Sequence, residues 1–510
     1  MTGSDEVLDH EKQARSGRGL GLATRVQVTA HQFMARRASM AMTRRSVRME
    51  TEPGRRQTMA IGASITAAVV ICAGALFWSF IRPAGSAGND KILADQTSGE
   101  LYVLVGDTLH PALNLGSARL ITGSADNPKR VRRAEIEKYR RGPEVGIPGV
   151  PSHLETVTPP TSTWLVCDTV TKAHGKYAPE PVTTTVIDGR PELDDRRRTL
   201  GSNQAVLLSH DGATWLIRDG RRSRVDVAQR PVLLALGLPA NSLTAARPMS
   251  RALFDAIPVG PPLAVPDIPA AGSDATFPGA PGKVGMVIAT PQVGGSTQYL
   301  VVLSDGLQAV SPVAAQALHN AGGSGAAIPV VAGPALADMP VVSWLNLSMF
   351  PDEPLEIVDT QQNPSTCWMW QRHVGEQLAT TSVVSGSLLP ISQADLGKVV
   401  EFVKPDKTAV QADRVFFGPD YVNFVVSTGN APESSTEEAL WFIRETGVRY
   451  GIDRDSDTQQ ALGLSGTPGT APWAALRLLA PGPTLSRSDA LLRHDSLPVN
   501  PRPGKLEPQR

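Results

Sequence analysis

The sequence predicts an α+β protein: a cytoplasmic amphipathic helix, one transmembrane helix, and an elongated exported region in which a central β domain is flanked by four repeat modules. Three observations predict it. A charge-free stretch succeeds a basic N-terminus, short words recur at fixed offsets beyond it, and strand-like segments lacking those words lie between the recurrences. With 46 glycines, 42 prolines and 5% aromatics among 510 residues, the exported part reads as turns and short elements rather than long helices.

The stretch from Arg55 to Pro83, RRQTMAIGASITAAVVICAGALFWSFIRP, carries no charged side chain between Arg56 and Arg82. As a helix, Met59 to Ile81 reaches roughly 35 Å, enough to cross a hydrocarbon core of about 30 Å. A buried core helix would be shorter and carry a polar stripe. A cleaved signal peptide would have a shorter apolar region nearer the start, although Ala84-Gly85-Ser86-Ala87 mimics a cleavage site. A permanent span over residues 57–81 is the better reading. Residues 1–56 hold eleven Lys and Arg against six acids, whereas only Arg82 and Lys91 closely succeed the span. Retained positive charge keeps the N-terminus in the cytoplasm and exports the residues beyond Ile81.

Before the span, residues 1–20 form a polar tail. In residues 21–56, Val26, Phe33, Met40 and Val47 recur every seven positions, a stripe along one helix face. Arg36, Arg37, Arg44, Arg45 and Arg48 load the remaining surface, and Pro53-Gly54 breaks the pattern. Such a helix docks in a partner's groove or lies on anionic lipid. Heptad spacing favours the partner, with Arg36, Arg37, Arg44 and Arg45 as contacts to lipid or acidic groups.

Beyond a linker at 82–98, repetition organises the chain. Trp215-Leu216-Ile217-Arg218-Asp219-Gly220 resembles Trp441-Phe442-Ile443-Arg444-Glu445-Thr446-Gly447, and twenty residues after each tryptophan comes Ala-Leu-Gly-Leu, at 235–238 and 461–464. Gly260-Pro261 and Gly482-Pro483 come next. Fainter copies open at Tyr102 and Tyr299. Each unit reads as a hairpin with a Gly turn, a short helix and a Pro-rich exit. The modules fall at 99–155, 212–270, 298–342 and 439–490, with a linker at 271–297 and a tail at 491–510. Strand-like segments at 163–167, 182–187, 205–208, 355–358, 367–371, 399–403 and 422–426 are expected to form one central sheet, from residues 156–211 and 343–438.

A chain of zero formal net charge, with the basic residues packed beside a span, does not look like a nucleic-acid binder. Of three cysteines, Cys72 lies inside the span. In an oxidising compartment Cys167 and Cys367 most simply pair, the alternative being two separate buried thiols. Neither has a second Cys or His at metal-ligand spacing. The nearest approach to a phosphate loop runs from Phe277 to Val284, FPGAPGKV: a phenylalanine stands where the first glycine belongs, prolines remove two amides, and Val284 replaces the Ser or Thr. Nine scattered histidines form no zinc motif. Asp453, Asp455 and Asp457 resemble a calcium loop, but Thr458 and Leu464 occupy its glycine and glutamate positions. No cofactor is expected, ATP entering only if the chain is a nucleotide hydrolase.

Long words now identify a resemblance: GLGLATRVQVTAHQFMARR, RMETEPGRRQT, LYVLVGDTLHPALNLGSARLITG, RPMSRALFDAIPVGP, NPSTCWMW and APWAALRLLAPGPTLSRSDALL. Across essentially its whole length the sequence resembles the EccB family, a membrane component of the mycobacterial type VII (ESX) secretion systems, and is most similar to the fifth ESX class. The resemblance implies a structural subunit of a hexameric inner-membrane channel assembled with EccC, EccD and EccE, its periplasmic domain meeting other EccB copies and the mycosin protease. It implies a central β domain closed by a disulfide at Cys167 and Cys367, and a cytoplasmic helix within residues 21–56. Competing classes are a nucleotide hydrolase, since family members are sometimes described as ATPases, and a peptidoglycan-binding envelope anchor.

Overall fold

The computed structural model describes residues 24–44, 53–81, 86–152, 154–172, 179–238, 243, 246–323, 325–403 and 410–497. Two compact units result, Met1–Ala84 and Gly85–Arg510. The first holds α1 (Arg25–Arg44) and α2 (Pro53–Ile81). Within α2, Gln57–Trp78 is long and apolar enough to cross a membrane and is wholly exposed. A face that apolar, left uncovered by protein, is what lipid solvates.

The second unit opens with a meander, β1 (Ile92–Asp95), β2 (Leu101–Val105) and β3 (Thr108–Pro111), then α3 (Leu115–Thr122). The chain then returns as β4 (Lys129–Val131), parallel to β1, crosses through α4 (Arg133–Ile136), and ends in β5 (Arg140–Arg141), parallel to β3. The sheet order is β4-β1-β2-β3-β5. After β6 (Glu144–Val145) come three strands of a larger sheet: β7 (Thr161–Val170), β8 (Val182–Asp188) and β9 (Arg197–Thr199).

The same order then recurs. The second outer sheet has β10 (Gln204–His210), β11 (Ala213–Arg218), β12 (Arg221–Arg224), α5 (Arg230–Ala235), β13 (Arg247–Pro248) parallel to β10, and α6 (Arg251–Ala256), with Val259 bridging Arg222 at the far edge. In the third, β14 (Val287–Pro291), β15 (Thr297–Val302), β16 (Leu307–Val310) and α7 (Pro312–Ala321) precede single bridges, Ala289 to Val330 and Leu307 to Val341. After β17 (Glu356–Ile357), the larger sheet resumes with β18 (Ser365–His373), β19 (Thr380–Gly386), β20 (Val400–Glu401) and β21 (Arg414–Phe417). The fourth outer sheet has β22 (Phe424–Thr428), β23 (Leu440–Ile443), β24 (Val448–Ile452), α8 (Ser456–Leu462), β25 (Gly469–Pro472), α9 (Trp473–Leu476) and β26 (Ala480–Pro481). Finally α10 (Arg487–Ala490) leads to β27 (Arg493–His494), which pairs with β6.

The central sheet has the order β20-β21-β8-β7-β18-β19-β9. It corrects the sequence expectation on three segments. Residues 205–208 lie in β10 of the second outer sheet, 355–358 contribute β17, which pairs with β10, and 422–426 open the fourth outer sheet as β22. Each meander has an apolar first strand before its recurring word, so a reading keyed to the word starts one strand late. In the first and third sheets, too, β1 and β14 precede the tyrosines that carry the fainter words.

Side-chain caps start several helices: Asn114 accepts from Ser117 N–H, Ser250 from Leu253 N–H, Ser311 from Ala314 N–H ahead of Pro312, Asp455 from Asp457 N–H and Ser486 from Asp489 N–H. The outer sheets share cores in pairs. Helices α3 and α8 meet in a core common to the first and fourth sheets, and α5 packs on α7 between the second and third. Period-two alternation then divides the central sheet. Trp164, Val166, Trp368 and Trp370 point to one face, where α6 and α9 cover them. Leu165, Cys167, Cys367 and Met369 point to the other.

Candidate assembly surfaces

Antiparallel register places Cys167 directly opposite Cys367, with Cα atoms 3.9 Å apart and the sulfurs joined in a disulfide. Both are buried in an apolar cluster with Leu165, Ile187 and Phe416. The bond therefore pins the register of β7 against β18, strands 200 positions apart in the chain. Cys72 is the free cysteine among the described residues.

Two outer sheets grip the central one through matching parts. In the second, the Arg222 guanidinium lies 3.8 Å from the Phe254 ring and 5.3 Å from Trp215, while His210 stacks on Phe254 at 4.2 Å. In the fourth, Arg449 lies 4.9 Å from Trp441 and 5.0 Å from Trp473. Each arginine sits on the third strand, diagonal to the tryptophan of the recurring word, and the second aromatic comes from α6 or α9. Burial pulls both guanidiniums below the usual arginine range, yet they stay cationic and are attracted to the ring faces. Where the two helices meet, Arg477 donates to the Asp255 carboxylate at 2.8 Å.

The glycine turns of these same two words abut opposite edges of the central sheet. Gly220, at φ +70°, has room only for a hydrogen, since a Cβ would lie 2.5 Å from Thr381 of β19. Gly447, at φ +80°, lies against Phe402 and Val415, which a Cβ would approach to 2.4 and 2.6 Å. By sequence the repeated glycines are hairpin turns alone; their close packing is a tertiary requirement that a word match does not express.

Asp168 anchors α6 from the central sheet. Its fully buried carboxylate accepts from Ser250 N–H at 2.6 Å, from Ser250 Oγ at 2.8 Å and from Thr184 Oγ1 at 2.8 Å, while Ser250 caps the helix. Burial, with a smaller contribution from Asp413, outweighs these hydrogen bonds and raises its pKa to about 6. Nothing in the word TWLVCDTV marks this aspartate; only its position one residue beyond Cys167, on the helix-covered face, gives it a role.

On α1, Val26 and Met40 are 76% and 48% exposed, Arg36 is exposed, and Phe33 is half-buried. The Arg37 guanidinium lies 5.8 Å over the Phe33 ring. This corrects its placement on the remaining surface, because one helical turn separates positions 33 and 37 and so puts Arg37 on the stripe itself. Arg44 ends the helix. Val47 and Arg45 lie outside the described residues.

The segment resembling a phosphate loop uses its backbone internally. Val284 N–H donates to Ser273 O and Gly285 N–H to Val302 O, Phe277 and Val284 are buried, and strand β14 rather than a helix comes next. Two amides needed for an anion cradle are thus already bonded, and the segment runs into a strand instead of a helix N-terminus. Among the described residues no cluster of three or more His, Cys, Asp or Glu is arranged to hold a metal ion. Of the calcium-like acids, Asp455 caps α8.

Comparison with known proteins gives consistent results. Residues 20–499 match the family model described as type VII secretion system ESX-1, transport TM domain B. The chain is 54% identical over 495 residues to the ESX-5 secretion system ATPase EccB5 of Mycobacterium tuberculosis (strain ATCC 25618 / H37Rv), covering 97% of this chain and 98% of the relative. It is 38% identical over 499 residues to the ESX-3 secretion system ATPase EccB3 of Mycolicibacterium smegmatis, covering 96% and 94%. Among solved structures, a chain of an intact ESX-5 inner membrane complex superposes with a TM-score of 0.75 at 53% identity, over 96% of this chain and 99% of that one. A chain of an EccB3 dimer from an ESX-3 core complex gives 0.69 at 36% identity, over 79% and 100%.

Proposed function

Because the chain belongs to the EccB family of type VII secretion systems, we propose that it is a structural subunit of an inner-membrane protein-secretion channel of the fifth ESX class. The observation that carries this reading is the match, over 96% of the chain, to a subunit of an intact ESX-5 inner membrane complex. On this proposal α2 crosses the membrane with α1 in the cytoplasm, and the second unit lies in the periplasm. The charge asymmetry around α2 supports that direction.

The four outer sheets are copies of one repeat that build a periplasmic vestibule or gate around the central sheet. Their common strand order and the paired arginine–aromatic contacts support a shared origin. Partners are EccC, EccD, EccE, the mycosin protease and further copies of this chain in a hexameric complex, with the stripe of α1 docking cytoplasmic components. Gentle solubilisation with a tag after Arg510, then native mass measurement, tests this. A megadalton-scale particle with other secretion components is expected; a lone chain or small oligomer, under conditions that preserve such complexes, overturns the reading.

The word ATPase in the relatives' names favours a second reading, nucleotide hydrolysis. The internally bonded segment from Phe277 to Val284 weighs against it. Phosphate release by the purified full chain is expected to stay at background and to be unaffected by Lys283→Ala. Robust release abolished by that substitution would establish the hydrolase instead.

A further inference from the structure

The crossover between the two returning strands is an interface in half of the outer sheets. In the second and fourth it forms α6 and α9, which bury Leu253, Ala256, Ala475 and Leu476 against the central sheet. The corresponding crossover of the first sheet, Lys129 to Arg141, covers no such surface and has a different composition. It carries seven Lys and Arg against Glu135 and Glu137, whereas Asp338 is the one charged residue from Val330 to Val341 in the third sheet and Arg477 the one from Gly469 to Pro481 in the fourth. In the second, Arg247 and Arg251 are both paired with acids.

Some of the first sheet's cations are neutralised: Lys129 by Asp90 at 3.2 Å, Arg133 by Asp95 at 3.3 Å, and Arg140 by Asp107 at 3.8 Å. Arg130, Arg132 and Arg141 are exposed and have no carboxylate partner among the described residues. Unpaired cations of like sign on one short exposed crossover raise a positive potential that attracts an external anionic surface.

The covalent chain restricts which anion is nearest. Only residues 82–91 separate α2 from β1, and ten residues span at most about 35 Å. A segment of that length lets the first outer sheet reach a bilayer that α2 crosses. We propose that the crossover from Lys129 to Arg141 is a membrane-docking surface that binds anionic phospholipid headgroups through Arg130, Arg132 and Arg141. This rests on α2 being a membrane span, and holds for either direction of crossing. Docking fixes the first sheet against the lipid while the second and fourth stay engaged with the central sheet.

The test places the full chain in lipid nanodiscs, with a donor fluorophore on Ser98→Cys in a Cys72→Ala background and an acceptor on the headgroups. Energy transfer should rise when phosphatidylglycerol replaces part of a phosphatidylcholine bilayer and fall again at high salt. At roughly fivefold per cation, Arg130→Gln/Arg132→Gln/Arg141→Gln should lower the docked-to-free ratio on the order of a hundredfold, while the triple Lys variant retains docking. Because all three side chains are exposed, thermal unfolding should not change. Transfer that ignores phosphatidylglycerol, or is the same in the glutamine variant, overturns the docking surface alone. Failure of the chain to enter discs of either composition overturns the membrane span and the docking with it.

Discussion

Replacing both Cys167 and Cys367 with alanine removes the disulfide that cross-links the two halves of the central sheet. The bond joins residues 200 positions apart, and closing a loop of that length in the unfolded chain corresponds to roughly 5 kcal/mol on the chain-entropy argument. Loss of two buried sulfurs adds a smaller local term, about 1 to 2 kcal/mol, because both side chains sit in the cluster with Leu165 and Phe416. The native register should survive, since the pairing of β7 and β18 runs from Ser365 opposite Thr169 to His373 opposite Thr161. Urea unfolding monitored by tryptophan emission reads this region well, because Trp164, Trp368 and Trp370 are all buried in the central sheet. The double variant should unfold at markedly lower urea, and reductant added during unfolding should bring the wild type close to it. A loss no larger than the local packing term would refute the reasoning, by showing that the bridge does not restrict the unfolded ensemble.

Other perturbations test separate contacts. Asp168 has a folded-state pKa of about 6 against an ordinary value of 3.8, so the folded chain binds its proton more readily than the unfolded one. Stability attributable to it should therefore grow as pH falls from about 7 towards 4, by on the order of 3 kcal/mol, and Asp168→Asn should flatten that slope in unfolding measured against pH. Gly447→Ala combines a left-handed backbone with a close contact to Phe402 and should cost roughly 2 to 4 kcal/mol. Gly106→Ala, at φ +63° with open space around it, should cost only about 1 kcal/mol in the same denaturation assay. Aspartate at Val26, Phe33 and Met40 should abolish copurification of cytoplasmic partners while leaving the chain in the membrane fraction; retained association would remove the docking role.

The span was readable because hydrocarbon thickness imposes one length and one composition, and α2 (Pro53–Ile81) contains the expected residues 57–81. The cysteine pair was readable in kind, since β7 and β18 show as apolar runs around Cys167 and Cys367. Strand membership was less legible. An apolar stretch such as Val422 to Val426 has the same character in an outer sheet as in the central one, and only its parallel pairing with β25 decides the matter. The arginine–aromatic contacts were half visible: both tryptophans stood in the recurring words, but Phe254 and Trp473 reach them from the returning crossover, some 30 to 40 residues later. Sorting α1 by charge sets Arg37 off the stripe, whereas helical periodicity puts it one turn from Phe33, where its guanidinium covers the ring.

The interleaving of the central sheet with its neighbours imposes a schedule on biogenesis. Strands β7 to β9 are synthesised well before β18 to β21, and the second and third outer sheets lie between them in the chain. Those two sheets are built almost wholly from nearby residues and can close early, whereas β7, paired at once with β8, waits for its second neighbour some 200 residues downstream. Until Cys367 arrives, Cys167 remains a reduced thiol on a strand paired with β8 alone, its other edge open to wrong partners. Pulsed thiol labelling of nascent chains should find Cys167 reactive in every intermediate that stops short of β18 and protected soon after it; protection before then would mean that the sheet forms by another route. Oxidation thus comes late, as a latch on a sheet whose neighbours are already in place.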